Sequence, residues 1–135
     1  MRAGNEYYQN RSNARGIVVD RDPKRKKVKV NFEDEDETVS MWIDVPSRSA
    51  GQTKTFMMPD LDDEVWVALD AKGEDGVIIG AKYNEKDAPP HESNDDVSIV
   101  SPNFSIHLDK ATGNVTVVLK GNLDITAARV DFRKS

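Results

Sequence analysis

Short runs of alternating polar and apolar residues, separated by polar turns, account for most of this chain, and they predict strands rather than helices. Gly16-Ile17-Val18-Val19-Asp20 is a β-branched run. Asp22-Pro23-Lys24-Arg25 then has turn chemistry, with Pro presetting φ and Asp able to bond its own backbone. Lys27-Val28-Lys29-Val30-Asn31-Phe32 alternates throughout and places Val28, Val30 and Phe32 on one face. After five consecutive acids, Glu33 to Glu37, which suit an exposed loop, Val39 to Val45 repeats the pattern. There Val39, Met41, Ile43 and Val45 are expected on one face and Trp42 on the other. Val65–Leu69 and Val77–Gly80 supply a fourth and a fifth strand around a tight turn at Lys72–Gly76. Five short strands without a convincing amphipathic helix suggest a small closed or half-closed barrel.

Asn84 to Asp96 holds two prolines and almost no apolar residue, and reads as a linker stiffened at Pro89-Pro90. The period of two then returns in Val97 and Ile99, in Phe104, Ile106 and Leu108, in Val115, Val117 and Leu119, in Leu123 and Ile125, and in Val130 and Phe132. Between these pairs and triplets lie turns at Ser101–Asn103, Asp109–Asn114 and Lys120–Asn122. The expectation is a meander of very short strands with one apolar face. About 39 residues cannot bury such a face alone, and each side chain left wet forgoes about 1.5–3 kcal/mol. Either the face covers the barrel or identical ribbons from other subunits close around it. The polar linker favours subunit closure, which also removes exposed sheet edges.

Composition bounds the function. At 37 % hydrophobic and 32 % charged residues the 135-residue chain is a folded protein with a modest core, small enough to gain from oligomerisation. The net charge of −5 speaks against a dedicated nucleic-acid binder. The charge is uneven: residues 1–30 carry 9 basic and 3 acidic side chains, residues 31–75 carry 3 and 13. Without cysteine there is no disulfide, thiol catalysis or Cys-based metal site. No signal-peptide h-region or long apolar run is evident.

The ordered set Gly16-Ile17-Val18, Val28–Phe32, Met41–Val45, Met58-Pro59-Asp60, Glu64–Val67 and Gly76–Asn84 followed by Pro89-Pro90 resembles phage baseplate assembly protein V and, more distantly, the spike parts of pyocins and type VI secretion systems. The resemblance implies an all-β protein: an N-terminal arm (1–14), a five-stranded OB-fold barrel (15–83), a linker (84–96) and a short intertwined trimeric β-helix or β-prism (97–135). It implies a homotrimeric structural spike in the virion tail baseplate, assembled in the host cytoplasm. The spike would sit beneath the hub protein and tube and help pierce the host outer membrane when the sheath contracts. Its trimer core would be Val97, Ile99, Phe104, Ile106, Leu108, Val115, Val117, Leu119, Leu123, Ile125, Val130 and Phe132. Some relatives carry a lysozyme domain between barrel and spike, for which the linker leaves no room. Others bind an apical iron through His-x-His. With only His91 and His107, this sequence lacks that motif, so no cofactor is expected, and the tip would either be capped by a separate small protein or end bluntly.

Alternative chemistry is thinly supported. An OB-fold can bind single-stranded nucleic acid through aromatics along a basic groove. Phe32, however, is in phase with the core, and no basic cluster follows Trp42 in sequence, so Trp42 and Trp66 read as packing or interface residues. Arg21, Lys24, Arg25, Lys26, Lys27 and Lys29 form one dense basic stretch: a solvated hairpin tip, a contact for an acidic neighbour or, least favoured, a nucleic-acid contact. Glu33–Glu37 and Asp60, Asp62, Asp63 and Glu64 lack EF-hand spacing and any sign of a catalytic carboxylate pair. Neither a nucleophile elbow nor a phosphate loop is present, and an enzyme is not expected.

Overall fold

A computed structural model describes residues 13–32, 38–72 and 74–135. Among them every regular element is a strand; no helix is present, and so none long and apolar enough to cross a membrane. The chain divides into two compact units, the first ending at Ala88 and the second running Pro89–Ser135.

The first unit contains β1 (Asn13–Asp22), β2 (Lys27–Phe32), β3 (Ile43–Asp44), β4 (Glu64–Leu69) and β5 (Gly76–Lys82). They pair in the closed order β1-β2-β3-β5-β4, with β4 returning to β1. All ladders are antiparallel except the single β3–β5 pairing, Asp44 opposite Val77. β1 pairs with β4 through residues 13–17 and with β2 through residues 16–22. Its pairing with β2 slips between Val18 and Asp20, leaving Val19 as an extra residue, and a bulge of this kind turns a strand and increases its twist. Ile79 is the corresponding extra residue in β5, opposite the step from Trp66 to Val67.

Alternation accounts for the core. Val28, Val30 and Phe32 from β2 pack with Ala14, Val18, Ile43, Val65, Val67 and Ile78, all buried. Gly16 is required where β1 crosses β2: a Cβ there would lie 2.4 Å from Val30 Cγ1 and 2.5 Å from the Asn31 carbonyl oxygen. At the tip between β1 and β2, Asp22 accepts hydrogen bonds from the Arg25 backbone N–H (3.3 Å) and Nε (2.6 Å). Lys26, at φ 54°, then turns the chain into β2.

The structure departs from the sequence expectations at several places. Asn13 and Ala14 belong to β1, and Ala14 lies in the core rather than in an arm; the rest of that arm, like the acidic run Glu33–Glu37, falls outside the described residues. The expected third strand shrinks to Ile43–Asp44. Val39 points outward and Ser40 is buried instead. The cause is a polar splice in the ladder: the Val30 N–H donates to Ser40 Oγ (2.9 Å), the Ser40 N–H donates to the Val30 carbonyl (2.8 Å), and Ser40 Oγ donates to the Met41 carbonyl (2.6 Å). At its start the linker belongs to the barrel. Asn84 Nδ2 and Lys82 Nζ each donate to Glu64 at 3.0 Å, with Arg15 3.6 Å away. Those partners, Asn84 first and then Lys82, hold the Glu64 carboxyl below its ordinary pKa.

The second unit is one three-stranded antiparallel sheet, β6 (Asp96–Ser101), β7 (Phe104–Asp109) and β8 (Asn114–Leu119), in sequence order. Its β7–β8 turn is built by Asp109, whose Oδ1 accepts the N–H groups of Ala111 (2.9 Å) and Thr112 (3.2 Å). Gly113, at φ 78°, completes the turn by donating to the Asp109 carbonyl. Hydrogen bonds to Thr112, chiefly from its backbone, lower the Asp109 pKa. The strands expected around Leu123–Ala127 and Val130–Phe132 do not form, and residues 122–135 carry no strand pairing. The segment does not turn back onto the open edge of β8, and an extended segment alone gains neither hydrogen bonds nor burial from adopting strand geometry.

Candidate assembly surface

The registers of β6, β7 and β8 sort the second unit into two faces of opposite character. Val97 lies opposite Leu108, which lies opposite Val115; Ile99, Ile106 and Val117 form the next row. Ser101, Phe104 and Leu119 form the third. Because side chains at i and i+2 share a face, these rows make one surface with eight apolar side chains and a single serine.

The other face carries Asp96, Ser98, Val100, Ser105, His107, Asp109, Asn114, Thr116 and Val118. His107 stands there with Nε2 3.1 Å from Asp96 Oδ2, and the His91 ring meets it edge-on with centroids 5.6 Å apart. Among the described residues no group of three or more His, Asp or Glu is placed to hold a metal ion.

Nothing in the second unit covers the apolar rows. Seven of the eight side chains are 36–62 % exposed, and Ile106, at the centre, is half-buried by its cross-strand neighbours. A face of this continuity exceeds the scattered exposed apolar residues normal on a monomer and marks an interaction surface. Leu123, Ile125, Val130 and Phe132 are not gathered onto the sheet. They lie beyond β8 and are 50–90 % exposed. Among the described residues, nothing pairs with either outer edge of the sheet, on β6 or on β8. A regular apolar sheet with open edges and an extended apolar segment after it offers a partner both a face to cover and edges to pair with.

In the barrel, sequence reasoning missed the surroundings of Trp42. No cation follows it along its own strand, but the pairing of β2 with β3 brings the β1–β2 tip alongside, with Arg25 and Lys29 5.6 and 5.0 Å from the ring centroid. Trp66 has Arg15 at 5.7 Å. The acids at Asp60–Glu64 have structural duties. Asp63 accepts the Asp60 N–H at 2.9 Å, Asp62 (φ 73°) turns the chain, and β1 is bonded through Val18 to both Asp62 and Asp63. Burial raises the Asp63 pKa.

The family model described as the type VI secretion system/phage-baseplate injector OB domain matches residues 14–83. That span coincides with the five-stranded closed unit, from the start of β1 to just past β5. No curated protein matches the chain.

Proposed function

The chain belongs to the type VI secretion system/phage-baseplate injector OB-domain family, and from that premise we propose that it is the homotrimeric spike of a contractile tail. Membership makes it a baseplate-type structural component associated with the virion or tail. Beyond that, the reading is that three C-terminal sheets close into a short prism with the apolar rows inside and the polar faces outside. The barrels sit beneath a hub protein and the tube. The prism is driven into the host outer membrane on contraction, with a separate small protein as its point.

One observation carries the reading: the apolar face formed by Val97, Ile99, Phe104, Ile106, Leu108, Val115, Val117 and Leu119, exposed and flanked by open edges. Three equivalent sheets make a closed prism, and closure removes the edges that would otherwise recruit other chains. Extended residues 123–132 then reach the open edge of a neighbouring sheet, with Leu123, Ile125, Val130 and Phe132 facing the shared interior. At about 4.8 Å per strand, the sheet as formed spans about 14 Å, and pairing of the segments around 123–127 and 130–132 would bring the stub to about 24 Å. Stiffness under load comes from backbone ladders around a dry core, so the task is mechanical and uses no reactive side chain. Light scattering tests the reading: purified protein at micromolar concentration gives about three times the 15.1 kDa chain mass. A stable monomer refutes it.

A further inference from the structure

The barrel bears a second surface that the trimer reading leaves unused. Residues 22–29 and 42–56 carry seven cationic side chains against two acids, in a chain whose net charge is −5. The fold gathers both segments at one place. Lys27 pairs with Asp44 across β2–β3, the Val45 N–H donates to the Lys26 carbonyl at 3.0 Å, and Lys26 Nζ donates to Ser47 Oγ and to the Pro46 carbonyl. Ser47 Oγ in turn donates to the Thr55 carbonyl at 3.2 Å, folding the loop back so that Phe56 lies 5.6 Å from Lys26 Nζ. Trp42 with Arg25 and Lys29, and Phe56 with Lys26, thus form two neighbouring aromatic–cation groups. Phe56 is 63 % exposed, and Lys24 is exposed at the tip.

We propose that this surface docks an acidic protein segment, one that places Asp or Glu side chains around an apolar residue. Trp42, Phe56 and Arg25 are residue types enriched at protein interface centres, and the lysines around them suit the polar rim of one. The local charge is opposite to that of the chain as a whole, so the patch attracts acidic partners and steers their approach. A nucleic-acid strand fits less well. The Trp42 ring already carries two cations where a stacked base needs a free face.

The test uses the full chain with Trp66→Phe, so that Trp42 alone reports. A short fluorescein-labelled peptide of Asp and Glu around a central Phe-Leu pair is titrated by anisotropy, alongside oligothymidylate. Saturable peptide binding with a change in Trp42 emission is expected. It weakens about tenfold in Arg25→Glu/Lys29→Glu, and strongly when salt rises from about 0.1 to 1 M, which shortens the Debye length from about 10 to about 3 Å. Because Arg25 also bonds Asp22, Lys24→Glu/Lys29→Glu serves as a second variant that leaves the turn intact and gives the same loss. Failure of the peptide to bind, binding indifferent to both variants, or tighter binding of oligothymidylate at the same residues each overturns the proposal.

Discussion

Ile106→Asp tests the assembly surface where it is most constrained. Ile106 is central in its row, between Ile99 and Val117. Its seven apolar companions remain 36–62 % exposed in the single chain. Burying what is left of each side chain in a closed prism yields about 1 kcal/mol, roughly half the value for complete burial, or about 8 kcal/mol per chain from the whole face. A carboxyl forced into that interior at neutral pH must either stay charged or take a proton. Taking the proton is the cheaper course: a three-unit rise in pKa costs about 4 kcal/mol per chain, and the lost isoleucine removes roughly 1–2 more. The remainder cannot offset the cost of association, estimated at about 4–15 kcal/mol. Light scattering at micromolar concentration and pH 7 therefore shows Ile106→Asp at the chain mass of 15.1 kDa, with the wild type at about three times that. Thr116→Asp, on the opposite face of the same sheet, leaves the assembly intact. The sign with pH is fixed. The introduced carboxyl has its pKa raised on assembly, so the penalty is absent below its free value of about 4 and grows as pH rises through it. Partial recovery of the trimer near pH 4 is expected. Retention of the trimer at pH 7 by Ile106→Asp refutes the apolar rows as its core.

Three further changes probe the barrel. Gly16→Ala puts a Cβ 2.5 Å from the Asn31 carbonyl oxygen and should lower stability to urea by about 1–3 kcal/mol or more, while Gly80→Ala, where nothing lies within 4 Å, should be neutral or stabilise by up to about 1 kcal/mol; equal effects would contradict the crossing geometry. Ser40→Ala leaves the Val30 N–H without its 2.9 Å acceptor and should cost about 1–3 kcal/mol in the same assay, an outcome that an unchanged midpoint would exclude. Glu64→Gln should lower Tm at pH 7. Because the folded pKa of Glu64 is depressed, its contribution is present above the unfolded value near 4.5 and lost as pH falls through the folded one. The Tm gap between wild type and variant should therefore close on acidification, and a gap constant between pH 7 and pH 3 would show that the Glu64 charge does not contribute.

What could be read in advance and what could not divide along a physical line. Period-two alternation determines which side of a strand is apolar, so Val28, Val30 and Phe32 and the rows of the second sheet were legible residue by residue. Alternation says nothing about where a side chain can replace a ladder bond. Ser40 does so, and its burial turns Val39 outward and shortens β3 to two residues. It is equally silent about which loop arrives beside a given strand: Arg25, Lys29 and Trp42 meet only through the β2–β3 pairing, 13 to 17 positions apart in sequence. The same limit explains the last residues. Leu123, Ile125, Val130 and Phe132 carry the strand pattern yet form no strand, because a pattern specifies a face and a ladder requires a second backbone. In β6–β8 that backbone is local and the sheet forms within one chain; residues 123–132 do not fold back onto the open edge of β8, and in the proposed spike their partner is another copy's sheet. The barrel's core side chains close around one another, while the apolar rows of the second unit remain open, so in the proposed spike intramolecular folding and assembly would fall to different halves of the chain. A spike that transmits force, as proposed, would gain from that division. In that reading the barrel would fold before the shaft closes, and the shaft would be stiff only when every copy is in place.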